Sequence, residues 1–141
     1  MKNATVRDIM STKLKTLHPK DKLRRAKDIF NEYHIHHIPV QVMKELRGII
    51  SLGDILYLEG VVTNSFDEFI KNKKLDTLDV EEVMTKKPYC IEASMPLTLA
   101  LDVMINKRIN ALPVVENNNE LVGIVTAFDM MKCLKSELLE N

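Results

Sequence analysis

Apolar residues recur along the chain in two patterns that predict helices and strands. Between residues 23 and 33 they fall at helical spacing, and they do so again between 97 and 104. Each of these segments precedes two short apolar runs joined by a polar turn, which predicts a β-hairpin. The runs cover residues 38–42 and 46–50, then 112–115 and 121–125. With an extended piece before each helix and a second helix after each hairpin, the order strand, helix, strand, strand, helix occurs twice.

The two halves also match residue by residue, which indicates an internal duplication. A shift of 74 positions aligns Val6 with Val80, Met10 with Met84, Leu23 with Leu97, and Pro39 with Pro113. After the first hairpin turn the shift becomes 75, and Asp54 then meets Asp129. We predict an α/β (α+β) fold of two pseudo-twofold β-α-β-β-α repeats packed sheet to sheet. The repeats are 1–60 and 80–141, and the linker 61–79 is expected to hold a short helix around Phe66 to Ile70.

The composition is that of an ordinary globular protein, with 45% hydrophobic and 28% charged residues. Twenty basic side chains balance twenty acidic ones, and this argues against a nucleic-acid partner because such binders usually carry a basic excess. No apolar run approaches the ~20 residues that a membrane span needs, and no signal-peptide core is present. Cys90 and Cys133 make a weak case for a disulfide. We therefore expect a cytoplasmic protein with no nucleic-acid and no membrane partner.

Each hairpin ends in a motif of glycine, two apolar residues, a hydroxyl residue, two spacers and an aspartate. The hydroxyl and the acid are Ser51 and Asp54 in the first repeat, and Thr126 and Asp129 in the second. One interpretation is structural, since a hydroxyl followed three residues later by an acid starts a helix as a capping box. Because aspartate is shorter than the Glu or Gln that this box prefers, we expect it to reach the cap amide poorly.

The other interpretation of the motif is ligand binding. The hydroxyl and the acid sit at the carboxyl end of a strand and at a helix N-terminus, where anions and ribose hydroxyls are commonly held. A carboxylate can accept hydrogen bonds from both hydroxyls of a cis-diol, while the hydroxyl and free helix amides can meet a phosphate. The residues alone leave both interpretations open, and the second indicates nucleotide recognition.

Three features, each present twice and in the same order, resemble the cystathionine-β-synthase (CBS) domain. They are the segments that end in Met10 and Met84, the apolar-Pro-Val runs at 38–40 and 112–114, and the motif described above. A tandem pair of this kind resembles the regulatory unit called a Bateman module, and the resemblance covers roughly residues 5–134. It implies a binding module that is no enzyme, that holds AMP, ADP or ATP in two clefts, and that forms a homodimer.

The resemblance also implies which residues line each cleft. In such modules a cleft usually combines the hydroxyl and the aspartate of one repeat with the first strand and the pre-proline segment of the other. The first-cleft set is then Thr5, Met10, Ile35, His36, His37, Thr126 and Asp129. The second-cleft set is Ser51, Asp54, Met84, Ile109, Asn110 and Ala111. The aspartate would hold the ribose diol, the hydroxyl the ribose or phosphate side, and backbone and apolar groups the adenine.

The two sets differ just before the proline. The first repeat has His36 and His37 there, whereas the second has Asn110 and Ala111. Because some relatives place His or Arg here against phosphates, we expect the first cleft to bind more tightly. No arginine cluster stands out, and the candidates for phosphate charge are Lys13, Arg47, Lys86 and Lys87.

Metal binding and catalysis have less support. His34, His36 and His37 are crowded, but no Cys-x-x-Cys pair or carboxylate stands at ligand spacing, so we expect no metal. Neither cysteine has an evident base, and Cys90 is expected to be a buried, inert thiol. The amphipathic run from Met130 to Leu139 is expected to pack on the other repeat, a second subunit or a partner helix.

We therefore expect a stand-alone regulatory module without a cofactor, whose regulatory ligand is an adenine nucleotide and which signals to an unidentified protein partner. Two alternatives remain open. One is a structural or dimerisation module whose clefts are unoccupied and whose hydroxyl–aspartate pairs only cap helices. The other is a sensor of a different adenosyl ligand, namely S-adenosylmethionine, NAD or a cyclic dinucleotide.

Overall fold

The computed structural model of the protein describes residues 3–60 and 67–140. In chain order its elements are α1 (Val6–Ile9), α2 (Leu23–Tyr33), β1 (His37–Val42), β2 (Glu45–Ser51), α3 (Leu52–Gly60), α4 (Asp67–Thr77), α5 (Val80–Val83), β3 (Thr85–Lys86), β4 (Ile91–Glu92), α6 (Leu97–Lys107), β5 (Ala111–Glu116), β6 (Glu120–Thr126) and α7 (Ala127–Glu140). Among these helices, none combines the length and the apolar character needed to cross a membrane.

The chain divides into two compact units. The central unit is Lys15–Lys87, and the terminal unit combines Met1–Leu14 with Pro88–Asn141. Helix α1, which begins the first repeat of the sequence, thus packs with the elements of the second repeat. Helix α5, which begins the second repeat, packs with those of the first. The repeats of the sequence and the compact units are therefore two different divisions of the chain.

The central unit is built on the antiparallel hairpin of β1 and β2. Strand β3 pairs with β2, with Thr85 opposite Ile49, and Leu17 forms a parallel bridge to Val40. One face of α2 closes the core, because its buried positions recur at helical spacing. The buried core residues are Leu17, Leu23, Ala26, Phe30, Ile38, Val40, Ile50, Ile55, Leu75 and Val80.

The terminal unit has the corresponding arrangement. Strands β5 and β6 form an antiparallel hairpin, and β4 runs parallel to β5. Ser11 forms an antiparallel bridge to Ile124, so the segment after α1 lies along β6. The buried core residues are Val6, Ile91, Ala93, Ala100, Met104, Leu112, Val114 and Val125.

The two hairpin turns explain the change of the repeat shift from 74 to 75. In the first turn Met43 and Lys44 have positive φ angles of 50° and 71°. The second turn places three residues in this region, Asn117, Asn118 and Asn119. Asparagine enters the left-handed region at lower cost than most residues, so the second turn accommodates its extra residue with the side chain best suited to it.

The predicted order helix, strand, strand, helix is confirmed in both repeats, and the strand predicted before it is confirmed in the second repeat as β4, in a fold that mixes α and β structure. The first extended piece of the first repeat is reduced to the single bridge at Leu17. The helix expected around 66–70 is observed as Asp67–Thr77, and residue 66 lies outside the described part of the chain. Leu75 of this helix is 1% exposed in the central core. The sheet-to-sheet packing of the repeats stays a prediction.

Candidate functional site

In the central unit the hydroxyl–aspartate pair lies where β2 ends and α3 begins. The Ser51 backbone N–H donates to Asp54 Oδ2 at 2.8 Å, and the Asp54 N–H donates to Ser51 Oγ at 3.1 Å. Both side chains are partly buried. The pair is therefore a reciprocal capping box that starts α3.

In the terminal unit the same arrangement starts α7. The Thr126 N–H donates to Asp129 Oδ2 at 2.8 Å, and the Asp129 N–H donates to Thr126 Oγ1 at 3.3 Å. The Thr126 hydroxyl also lies 3.0 Å from Asp129 Oδ2. Asp129 is only 6% exposed, and it is the one buried charged residue in the described part of the chain. Its other oxygen, Oδ1, lies 3.5 Å from Lys132 Nζ.

The expectation that aspartate would reach the cap amide poorly is wrong. Asp54 and Asp129 both accept from the cap N–H at 2.8 Å, the distance at which the longer Glu82 caps α5 through the Asp79 N–H. In both pairs Oδ2 makes the cap, and Oδ1 takes no part in it. Each carboxylate therefore keeps one oxygen that a ligand hydroxyl could use while the cap remains intact.

The pre-proline segment of each repeat lies beside the hydroxyl–aspartate pair of the same repeat. In the central unit His37 is opposite Ser51 in the hairpin, and the Leu52 N–H donates to the His36 carbonyl. In the terminal unit Ala111 is opposite Thr126, and the Ala127 N–H donates to the Asn110 carbonyl at 2.9 Å. The pairing of each aspartate with the pre-proline segment of the other repeat stays a prediction.

Within each unit one predicted methionine packs over the glycine of the motif. A Cβ on Gly48 would lie 2.5 Å from Met84 Sδ and 2.7 Å from the Thr85 carbonyl oxygen. A Cβ on Gly123 would lie 2.8 Å from Met10 Sδ and 3.0 Å from the Ser11 carbonyl oxygen. The glycines are thus needed for close backbone approach, and they bring Met84 and Met10 to the strands that carry Ser51 and Thr126.

The remaining predicted residues divide between the two units. Thr5 caps α1, because its N–H donates to Asp8 Oδ2 at 2.8 Å, and it lies in the terminal unit with Met10, Thr126 and Asp129. Ile35, His36 and His37 belong to the central unit. Of the second-cleft set, Ser51, Asp54 and Met84 are in the central unit, while Ile109, Asn110 and Ala111 are in the terminal unit.

The environment of His37 disfavours its charged form. Partial burial lowers the pKa of His37 below its ordinary value of 6.5, and His36 lowers it further, while Asp54 acts in the opposite direction. His37 is therefore neutral at physiological pH unless an anion binds nearby. Cys90 was expected to be buried but is only partly so. This partial burial raises the pKa of its thiol, so the thiol is protonated at neutral pH and a poor nucleophile.

One charged residue that contacts the Asp129 pair, Lys132, was not predicted from the sequence. It stands three residues after Asp129, and its Nζ also lies 5.1 Å from the centre of the Phe128 ring. The equivalent position in the first repeat, at the shift of 75, is Tyr57. Aligning the residues after each aspartate would have found this difference.

The structure gives little support to the roles predicted for the other candidate cations and metal ligands. Lys13, Lys86 and Lys87 are exposed, and Arg47 lies 3.6 Å from Glu45. Among residues 3–60 and 67–140, no three His, Cys, Asp or Glu side chains cluster so as to hold a metal ion.

An apolar groove of about 340 Å³ lies between α6 and α7 of the terminal unit. Leu97 and Leu101 line it from α6, and Met130 and Leu134 line it from α7. Leu134 is 58% exposed, and Leu138 one turn further is 67% exposed. The predicted amphipathic run thus leaves an apolar face uncovered within the terminal unit. We call this surface the α6–α7 groove.

Comparison with known proteins identifies the family. The model of the CBS domain matches residues 6–61 and 80–136, and the chain belongs to this family. The uncharacterised protein MJ1232 of Methanocaldococcus jannaschii is 29% identical over 141 residues, which are 99% of this chain and 42% of MJ1232. The chain thus spans less than half the length of this relative.

Two solved structures have the same fold. The CBS domain pair of protein MJ0100, in complex with 5′-methylthioadenosine and S-adenosyl-L-methionine, is 27% identical with a TM-score of 0.77. The match covers 95% of this chain and 98% of that one. CBSX2 of Arabidopsis thaliana, in complex with AMP, is 24% identical with a TM-score of 0.79, and the match covers 94% and 97% of the two chains. At this identity the second likeness supports the fold alone.

Proposed function

We propose that this chain is a regulatory module that binds adenosine-containing ligands through its two hydroxyl–aspartate pairs. The observation that carries the proposal is that Asp129 is buried and uses only one of its two carboxylate oxygens, Oδ2, to cap α7. A ribose diol would satisfy the second oxygen at small cost, because the carboxylate is already held in place. The MJ0100 domain pair, which binds two adenosyl ligands, supports this ligand class.

The proposal keeps the two residue sets derived from the resemblance. The first-cleft set holds Asp129 with His36 and His37, and the second-cleft set holds Asp54 with Asn110 and Ala111. Binding of AMP, ADP or ATP to the first set is proposed to be the tighter of the two, because His37, which is neutral in the free protein, can take up a proton when a phosphate binds nearby. S-adenosylmethionine, NAD and cyclic dinucleotides are the alternative ligands.

The module is proposed to perform no reaction of its own and to act in the cytoplasm on an unidentified protein partner. A ligand can shift the packing of the two repeats only if it binds the two arrangements unequally. The reciprocal caps tie each aspartate to the first turn of α3 or α7. Ligand contact with the free oxygen would therefore act directly on the position of a helix.

The first experiment screens ligands by thermal shift and then measures affinity by calorimetry. AMP, ADP, ATP, S-adenosylmethionine, NAD and a cyclic dinucleotide are tested on the full chain. Asp129→Ala removes charge-assisted hydrogen bonds worth about 1.5–3 kcal/mol, so the tight site is expected to lose one to two decades of affinity. Unchanged binding in Asp129→Ala, with binding abolished in Asp54→Ala, would reverse the assignment of the two sets.

A second variant separates ligand binding from helix capping. Glutamate suits a capping box, so Asp54→Glu is expected to keep the stability of the protein while it displaces the oxygen offered to a diol. The control is Asp21→Ala, which removes the carboxylate that accepts from the His18 N–H at 2.8 Å in the same unit and lies outside both sets. This control should lower the melting temperature and leave ligand affinity unchanged. Full affinity in Asp54→Glu would mean that Asp54 caps a helix and does nothing else.

The α6–α7 groove favours a second role, assembly of a homodimer. In the first repeat the positions equivalent to Leu101 and Leu134 are Lys27 and Glu59, which lie 2.9 Å apart as an ion pair. In the second repeat both positions are apolar and line the groove. We propose that a second copy of this chain covers the groove, since twofold dimers are the commonest assembly of soluble proteins.

Sedimentation measurements test this assembly. Leu134→Glu places a charge in the groove and is expected to convert a dimer into a monomer, because burying an unpaired charge in the interface has a large free-energy cost. The control is Met43→Glu in the first hairpin turn, where the side chain is 95% exposed. A Leu134→Glu protein that sediments like the wild type would exclude the groove as the interface.

A further inference from the structure

The two hydroxyl–aspartate pairs have the same cap but differ in charge one helical turn later. Lys132 follows Asp129 on α7, whereas Tyr57 follows Asp54 at the equivalent position on α3. Because residues three apart lie on the same face of a helix, each of these side chains flanks its aspartate. The duplication therefore provides a cation at one pair and a neutral aromatic ring at the other.

The ammonium group of Lys132 lies beside Oδ1 of Asp129, the carboxylate oxygen that takes no part in the cap. Lys132 Nζ lies 3.5 Å from Asp129 Oδ1, and the lysine side chain is 61% exposed while that of Asp129 is 7% exposed. An ion pair with one exposed partner is weak, so Lys132 can leave Asp129 when a diol binds to Oδ1. Its flexible four-carbon stem would then carry the ammonium group to a charge on the same ligand.

No such cation serves the other pair. Asp54 forms no ion pair within the part of the chain that the structure describes, and Tyr57 is 77% exposed. Across the hairpin, His37 lies opposite Ser51. Burial lowers the pKa of His37, so in the free protein it adds no positive charge to this pair at neutral pH.

Building on the proposed function, we propose that Lys132 makes the Asp129 pair selective for adenosine ligands that carry a 5′-phosphate. The Asp54 pair, with Tyr57 in the same place, takes adenosine ligands that carry no negative charge at that end, such as 5′-methylthioadenosine. One molecule would thus distinguish phosphorylated from unphosphorylated adenosine compounds through a single position of its duplicated motif. Lys132 is then a specificity-determining residue, because the diol contact is made by Asp129 in either case.

Calorimetry with AMP and adenosine tests this inference, since the two compounds differ only in the phosphate. Lys132→Met removes the charge and keeps most of the side chain. It is expected to weaken AMP binding about two- to fivefold and to change adenosine binding less than twofold. Lys135→Met, on the same helix at an exposed position, is the matched control and should change neither affinity. Equal effects of Lys132→Met on both compounds, or no effect on either, would overturn the inference.

The duplication also allows a gain-of-function test. In an Asp129→Ala background, which removes the first site, Tyr57→Lys is expected to raise AMP affinity at the Asp54 pair and to leave 5′-methylthioadenosine affinity within twofold. If Tyr57→Lys does not raise AMP affinity, this position does not determine the selectivity, and the inference is wrong. If wild-type protein binds adenosine, 5′-methylthioadenosine or another ligand of the thermal-shift screen but not AMP, the selectivity is wrong and the proposed function stands. If it binds none of these compounds, both are wrong.

Discussion

At the scale of single residues, the two oxygens of Asp129 serve different purposes. Oδ2 accepts the Thr126 N–H, while Oδ1 faces Lys132. Helix capping and ligand binding are therefore compatible within one carboxylate. A substitution of Asp129 has two costs, which need separate measurements. Loss of the cap lowers the free energy of unfolding by about 0.5–2 kcal/mol, and loss of Oδ1 removes the contact that is proposed for the ligand.

His37 gives the protein a pH dependence whose sign follows from burial. Its pKa in the folded state lies below the 6.5 of the unfolded chain. As the pH falls through 6.5, His37 binds a proton in the unfolded state but not yet in the folded state, so the free energy of unfolding decreases. We expect His37→Gln to lose less stability between pH 7.5 and pH 5.5 than the wild type does, as measured by urea unfolding.

Each protein is compared with itself at the two pH values, so any change in unfolding free energy that does not depend on pH cancels. The control is His34→Asn, because His34 is exposed and its φ of 52° suits asparagine. This variant should keep the wild-type pH dependence. A His37→Gln protein that loses as much stability on acidification as the wild type would show that His37 does not cause the effect.

The sequence did not show that the aspartate side chain is long enough to reach the amide of the cap residue. The motif was correctly placed at a strand end and a helix start, since that depends only on the order of apolar and polar residues. The capping distance depends instead on the backbone angles of the cap residue. Thr5, which caps α1 with Asp8 at N3, has an extended backbone with φ −108° and ψ 168°. Its amide meets the short aspartate at 2.8 Å.

At the scale of elements, each repeat has a cation over an aromatic ring that joins the segment before α2 or α6 to the last residue of that helix. In the central unit Lys15 Nζ lies 4.1 Å from the centre of the Tyr33 ring. In the terminal unit Lys107 Nζ lies 4.8 Å from the centre of the Tyr89 ring. At the shift of 74, Lys15 aligns with Tyr89 and Tyr33 with Lys107. The repeats have thus kept the contact and exchanged the partners.

This exchange shows why a residue-by-residue repeat search underestimates the duplication. Neither position matches by residue type, yet the pair contributes the same interaction in both repeats, about 0.5–1 kcal/mol at exposed sites. The hairpins were predictable because their apolar runs and turns are local signals. Helix α4 was predicted too short because it offers few apolar side chains beyond Leu75, which is buried in the central core. Its other link to α2 is polar, between Arg24 and Asp76.

At the scale of the whole molecule, the compact units could not be derived from the repeats. Helix α1 joins the terminal unit through backbone contacts far apart in sequence, such as Val6 N–H to the Met95 carbonyl and Ser11 N–H to the Ile124 carbonyl. Periodicity and local spacing carry no information on such contacts. The start of each repeat therefore supports the core that contains the other repeat's hairpin.

This exchange of starting segments predicts where a core mutation is felt. Val6 and Val80 are equivalent at the shift of 74, and both are fully buried. Val6 lies in the core of the terminal unit and Val80 in that of the central unit. Removing two methyl groups from either should lower the free energy of unfolding by about 1.5–3 kcal/mol. Hydrogen exchange is expected to accelerate at residues 111–126 in Val6→Ala and at 37–51 in Val80→Ala.

Each variant is the control for the other, because residue type, burial and position in the repeat are matched. If the units followed the sequence repeats, the pattern would be reversed, and Val6→Ala would loosen residues 37–51. The outcome also bears on regulation. Thr5 and Met10, which belong to the starting segment of the first repeat, lie in the same unit as Thr126 and Asp129, although the two pairs are 116 or more positions apart in sequence. Under the proposed function, a ligand held by Asp129 would therefore act on the unit that Val6 stabilises.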